Sequence, residues 1–150
     1  MNKKRKEKPF MNNIGISLDH FNRPKVYNES ETIALDLFTL LMNRPGFFPS
    51  NPKLGMDIPR FLYNFTENVP PRVLKQELIR QCRYYENVIQ GGDFQVAYID
   101  NPDNSNCPIL LFSIPTIVRE EQKHLIFAMK RDQNDNIAYN YGWSNESFMN

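Results

Sequence analysis

Gly91-Gly92 divides this chain into two stretches with different hydrophobic periods. Before it, apolar residues recur every three or four positions. After it, they recur every two. The first spacing lines one face of a helix and the second one face of a strand, so the two stretches cannot fold alike. Beyond the glycines, Phe94–Ile99, Ile109–Val118, His124–Lys130 and Ile137–Trp143 read as strands. They are separated by a polar loop at Asp100–Cys107 and a turn at Asp132–Asn136, and such spacing predicts an antiparallel meander. Pro115 lacks a backbone donor, so the second strand is expected to lie at an edge, carry a bulge or end early there. Helices followed by strands make an α+β fold, with N-terminal helices packed on one face of a C-terminal sheet of about four strands.

On the helical side, Ser30 is a suitable N-cap with Glu31 in the first turn. Ile33, Ala34, Leu37, Phe38, Leu40 and Leu41 form a wide apolar stripe, and the helix must stop before Pro45. The segment from Asn43 to Gly55 holds three prolines and two glycines, which forbid helix. Phe47, Phe48 and Leu54 are its expected apolar anchors. Asp57 can cap a short helix through Ile58, Phe61, Leu62 and Phe65, with Pro59 in its first turn. Pro70-Pro71 opens a helix over about 71–87, burying Leu74, Leu78, Ile79, Cys82 and Tyr85 and turning Lys75, Glu77, Arg80 and Arg83 outward. Gly91-Gly92 is expected to end this half. Residues 1–13 read as a basic extended arm and 14–150 as one domain. Ile14, Ile16 and Leu18 alternate as a strand, and Asn22–Lys25 carries loop signals.

A formal charge of +1 argues against a general electrostatic role on nucleic acid or acidic lipid. Lys3, Lys4, Arg5, Lys6 and Lys8 crowd the arm, which could touch a phosphate backbone as a charged tail, but no patch of interleaved basic and aromatic residues accompanies it. No apolar run is long enough to span a bilayer or to follow the basic start as an export signal. The expected setting is a cytoplasm. There Cys82 and Cys107 are reduced thiols, one of them in the core, and the sequons at Asn28, Asn64 and Asn145 are incidental.

Catalytic patterns are weak. Asp57, Glu67, Glu77 and Glu86 suit caps and solvated helix faces. His20 and His124 are far apart, and no C-x-x-C or H-E-x-x-H spacing points to zinc. A Cys-His nucleophile pair stays open, although Cys82 lies on an apolar stripe where thiols are inert. Gly91-Gly92 precedes a strand, the wrong order for a phosphate cradle. The expectation is a binding protein without metal, cofactor or small-molecule substrate.

Leu37 to Tyr63, LFTLLMNRPGFFPSNPKLGMDIPRFLY, resembles the baseplate wedge protein of contractile-tailed bacteriophages, a family historically labelled tail-lysozyme-like. That family runs from a helix ending in Leu-Leu, through a Gly-containing loop and a Pro-x-Leu/Tyr-Gly turn, to a short amphipathic helix. Here these fall on Leu40-Leu41, Gly46, Pro52-Lys53-Leu54-Gly55 and Ile58–Leu62. The next family element is a helix ending in a Tyr-Glu-Pro-Arg-like signature, and Tyr85-Glu86 stands at the matching place. The likeness covers about residues 30–100 and, more loosely, the strands that follow. Three positions depart from it: Phe47 replaces an acidic residue after the loop glycine, and Asn87-Val88 replaces Pro-Arg.

The resemblance implies a structural subunit of the virion's tail baseplate, assembled in the host cytoplasm. Relatives serve type VI secretion systems and contractile injection devices. The signature would dock the subunit on a helical bundle of neighbouring wedge proteins, while the sheet would face sheath or tube-proximal proteins. Of that signature only Glu86 carries over by identity; the expected partner-binding residues are Glu86 with its neighbours Tyr85 and Asn87, and Arg80 and Arg83 are available to replace the missing cation. Arg44 and Phe47 of the loop and Lys3, Lys4 and Arg5 of the arm complete the set. The competing expectations are a peptidoglycan hydrolase, on the family's historical label, and a nucleic-acid-associated module using the arm.

Overall fold

The computed structural model describes residues 13–18 and 24–146, with side chains from residue 28 onward. Beyond Gly92 the alternating pattern forms four strands, β3 at Gln95–Ile99, β4 at Ile109–Val118, β5 at Glu121–Arg131 and β6 at Ile137–Ser144. They pair in chain order as an antiparallel meander. Upstream lie a two-stranded ribbon, β1 at Asn13–Leu18 and β2 at Pro24–Tyr27, and three helices, α1 at Glu29–Met42, α2 at Ile58–Tyr63 and α3 at Pro71–Cys82. The chain is therefore α+β with a C-terminal meander. The loop expected at 22–25 gives way to strand from Pro24, which opens β2 opposite Leu18.

Register explains the core. Phe112 stands opposite both Val96 and Phe127, Ile114 opposite Leu125, and Leu110 opposite Met129. These side chains share one face of the pleat, and all are buried. Against them pack Ile33, Leu37, Leu40 and Leu41 of α1, Ile58 and Leu62 of α2, and Leu74, Leu78 and Cys82 of α3. The stripe spacing on α1 thus becomes the second layer of the core.

Several local expectations are corrected. The N-cap of α1 is Asn28, not Ser30: Asn28 Oδ1 accepts from the Glu31 N–H at 2.9 Å, and Glu31 Oε2 accepts from the Asn28 N–H at 3.1 Å. Asp57 occupies the N-cap position of α2 with φ +49°, and its side chain makes no capping bond. Instead the Asp57 N–H donates to the Asn43 carbonyl. The third helix ends at Cys82 rather than near residue 87. Beyond it, Asn87–Ile89 runs beside β4: the Ile89 N–H donates to the Pro115 carbonyl at 2.9 Å and the Ile117 N–H to the Asn87 carbonyl at 2.8 Å.

That pairing resolves Pro115. Strand β4 is internal, continues to Val118, and keeps Pro115 in register with His124. The Pro115 backbone faces away from β5, at the point where β3 has ended and Asn87–Ile89 takes over, so the ladder needs no donor from it. Gly92 admits the ring, since a Cβ there would stand 2.8 Å from Pro115 Cγ. Gly92 therefore serves close approach to the sheet and Gly91 a left-handed turn (φ +74°), and neither ends a helix. Strands β4 and β5 are joined by Arg119-Glu120, both in left-handed backbone (φ +52° and +67°), the geometry of a type I′ turn.

Because Phe112 bridges three strands at full burial, Phe112→Ala is expected to cost about 3–5 kcal/mol, read from the midpoint of urea unfolding.

Candidate protein-binding surface

The path of the Pro/Gly loop is fixed by partners for several of its backbone groups. The Gly46 N–H donates to the Pro52 carbonyl at 2.8 Å, and the Met56 N–H to the Leu40 carbonyl at 3.0 Å. Gly55 holds φ +129°, and a Cβ there would lie 2.5 Å from the Asn43 carbonyl oxygen, so only glycine fits. The loop is tied to α3 by Gln81, a polar residue buried on the helix's inner side. Gln81 Oε1 accepts from the Gly55 N–H at 3.0 Å, while its Nε2 donates to the Lys53 carbonyl at 3.2 Å and to Glu77 Oε1 at 2.9 Å. Glu77 also accepts from Arg80 Nε at 2.9 Å, which holds its carboxyl below the usual range. Loop and helix are thus one block.

Arg44 and Phe47 are exposed on the loop, Phe47 at 56%. Phe47 meets Phe48 edge to face at 5.2 Å instead of entering the core, so Leu54, with Met56 beside it, is the loop's anchor. On α3, Arg80 and Arg83 point outward. Tyr85 and Glu86 follow the helix in turns, Tyr85 half-buried and Glu86 exposed. Asn87 gives its carbonyl to Ile117, and Val88 is buried in a bridge to Thr116. Burial, with the charge of Asp36 second, pushes the Tyr85 hydroxyl up to about 12. Lys3, Lys4 and Arg5 lie outside the described residues, as does His20.

The last strand of the sheet carries a second exposed surface. Tyr139, Tyr141 and Trp143 of β6 project on the core face, opposite Met129, Phe127 and Leu125. Phe38 of α1 packs on Tyr139 at 4.4 Å between ring centroids, yet Tyr139 and Tyr141 stay 55% and 45% exposed. Among the described residues nothing pairs with the outer side of β6. The Tyr141 N–H faces that side, where Asn140 Oδ1 accepts it at 2.9 Å. By alternation, the backbone groups of Tyr139 and Trp143 face it too.

The candidate nucleophiles are enclosed. Burial pushes the Cys82 thiol up to about 12. Cys107 is also raised by burial, and its Sγ donates to the Leu62 carbonyl at 3.3 Å, so both cysteines and not one belong to the core. His124 Nδ1 lies 3.2 Å from Ser113 Oγ, but Ser113 has no exposed surface. A groove of about 430 Å³ lies between the α2–α3 connection and the 100–108 loop, with Phe65, Glu67, Tyr98 and Asp100 in its lining. Among the described residues, no group of three or more His, Cys, Asp or Glu is placed to hold a metal ion, and no helix is long and apolar enough to cross a membrane. No protein-family model matches the chain, nor does any curated protein or solved structure.

Two outcomes are expected. Gln81→Leu strands the Gly55 N–H and the Lys53 carbonyl, and should cost about 1–3 kcal/mol in urea unfolding. Asp36 keeps exposed surface on α1, but partial desolvation of its carboxyl raises it in the folded state, so its contribution favours folding below the ordinary carboxylate pKa and is lost as pH rises through the raised value. Asp36→Asn should therefore raise Tm at neutral pH, with the gain vanishing near about pH 3.

Proposed function

We propose that this chain is a structural wedge subunit of a contractile phage-tail baseplate. Its helical half would dock on other wedge proteins, and its sheet would receive sheath or tube-proximal partners. The observation that carries this reading is the outer edge of β6. Among the described residues it presents unpaired backbone groups at Tyr139 and Trp143 beside half-exposed tyrosine rings, over a strand without a charged residue from Ile137 to Ser144. Such an edge is a template for strand addition, where the backbone supplies affinity and alternate side chains supply selectivity. The wedge-like stretch from Leu37 to Tyr63 supports the same reading, because its glycine turn and its link to Gln81 make a rigid platform next to α3.

The groove holding Glu67 and Asp100 beside Phe65 and Tyr98 favours one competing reading, a peptidoglycan hydrolase with paired carboxylates. Peptidoglycan zymography separates the two. No clearing is expected, and clearing that disappears in Glu67→Gln would replace the structural assignment.

The assembly role has its own test. Tagged protein drawn from native particles should bring baseplate and sheath components with it. Tyr141→Pro removes an edge donor that β5 does not use, so the domain should still fold while particles lose sheath attachment. Fully sheathed particles carrying Tyr141→Pro would exclude β6 as the template.

A further inference from the structure

Helix α3 is amphipathic in an unusual sense, because its outer face is basic while the folded body around it is acidic. Residues 28–146 hold eleven Lys and Arg against fifteen Asp and Glu. Four of those eleven cations, Arg72, Lys75, Arg80 and Arg83, fall within twelve consecutive positions. Arg83 is the C-cap and keeps helical backbone (φ −59°, ψ −23°), so it continues the phase of the helix.

At about 100° per residue, Arg72, Gln76, Arg80 and Arg83 fall within one sector of about 80°, opposite the buried Leu74, Leu78 and Gln81. The stripe runs about 16 Å along the axis. All four of its residues are exposed, as is Lys75 on its flank. Arg80 is engaged by Glu77. Among the described residues, no carboxylate pairs with Arg72, Lys75 or Arg83. Apolar surface adjoins the cations: Val73 is exposed within the helix, and Tyr84 follows Arg83.

We infer that this face of α3 docks an acidic amphipathic helix of a partner protein. Charge complementarity selects the occupant. A row of three arginines and one glutamine with helical spacing meets carboxylates repeated at i, i+4, i+7 and i+11 on a facing helix, the guanidinium groups binding carboxylates in paired fashion and Gln76 donating through its amide. Val73 and Tyr84 offer apolar contact at the margins of that row. A long polyanion such as nucleic acid would bring its charge against the net acidic body, whereas a short acidic helix confines its charge to the stripe. The inference deepens the reading of the chain as a binding subunit and rests on it for the existence of a partner.

The experiment uses the full chain and a fluorescein-labelled synthetic helix of about 18 residues with glutamates at those four positions, followed by anisotropy. Binding is expected, weakened several-fold between about 50 and 200 mM salt and about tenfold or more by Arg72→Glu with Arg83→Glu. The pair Arg72→Gln and Arg83→Gln, checked by circular dichroism, keeps the test sound if the charge reversals unfold the helix. A peptide with glutamine at the four positions should not bind. Absence of binding, binding indifferent to both variant pairs, or tighter binding of a duplex of about 20 base pairs that both variant pairs weaken would overturn the inference. Co-purification with baseplates reads the wedge assignment separately, so either can fail while the other stands.

Discussion

The Gln81 carboxamide holds the helical layer together. It is a buried amide satisfied on both ends, accepting from one backbone group and donating to others, at the place where a proline-rich loop crosses a helix. Buried amides are costly unless fully paired, which makes such a contact selective: the loop path that satisfies Gln81 is strongly preferred over any that does not. The Gly55 N–H meets Gln81 only because Gly55 can pass within 2.5 Å of the Asn43 carbonyl, as measured from the Cβ it lacks. The Met56 N–H then reaches the Leu40 carbonyl at the end of α1, so one loop ties the first helix to the third.

The sheet is built on a different balance. Its centre is sealed by Phe94, Phe112 and Phe127, whereas its last strand carries tyrosines on the same face that the helices do not fully cover. Stability and recognition are thus graded across one surface. Leu110, Phe112 and Ile114 of β4 are wholly enclosed, while Tyr139 and Tyr141 of β6 keep about half their surface in water.

Much of this was legible from residues alone. The period change placed the meander, and the stripe from Ile33 to Leu41 placed α1, because both signals are repeated and local. What escaped was set by contacts distant in sequence. Arg83-Tyr84-Tyr85-Glu86 contains no helix breaker, yet the helix stops at Cys82. Its carbonyl is taken by Gln90 Nε2 at 3.0 Å, and Asn87–Ile89 is drawn along β4. Pro115 reads as an edge, a bulge or an early strand end, because nothing local announces that its neighbour changes from β3 to Asn87–Ile89. Gln81 reads as surface, since a glutamine between Arg80 and Cys82 gives no sign of a loop folding back on it. The candidate binding residues divide in the same way: Arg80 and Arg83 follow from helical phase, while the exposed edge of β6 needs the whole strand order.

The two cysteines have a use unconnected with any binding partner. Each thiol is sealed, one where α3 meets the core and the other where the 100–108 loop meets α2, and each must surface before a reagent can reach it. Their modification rates would therefore time the opening at each of these two places, and a single cooperative opening of both would give equal rates.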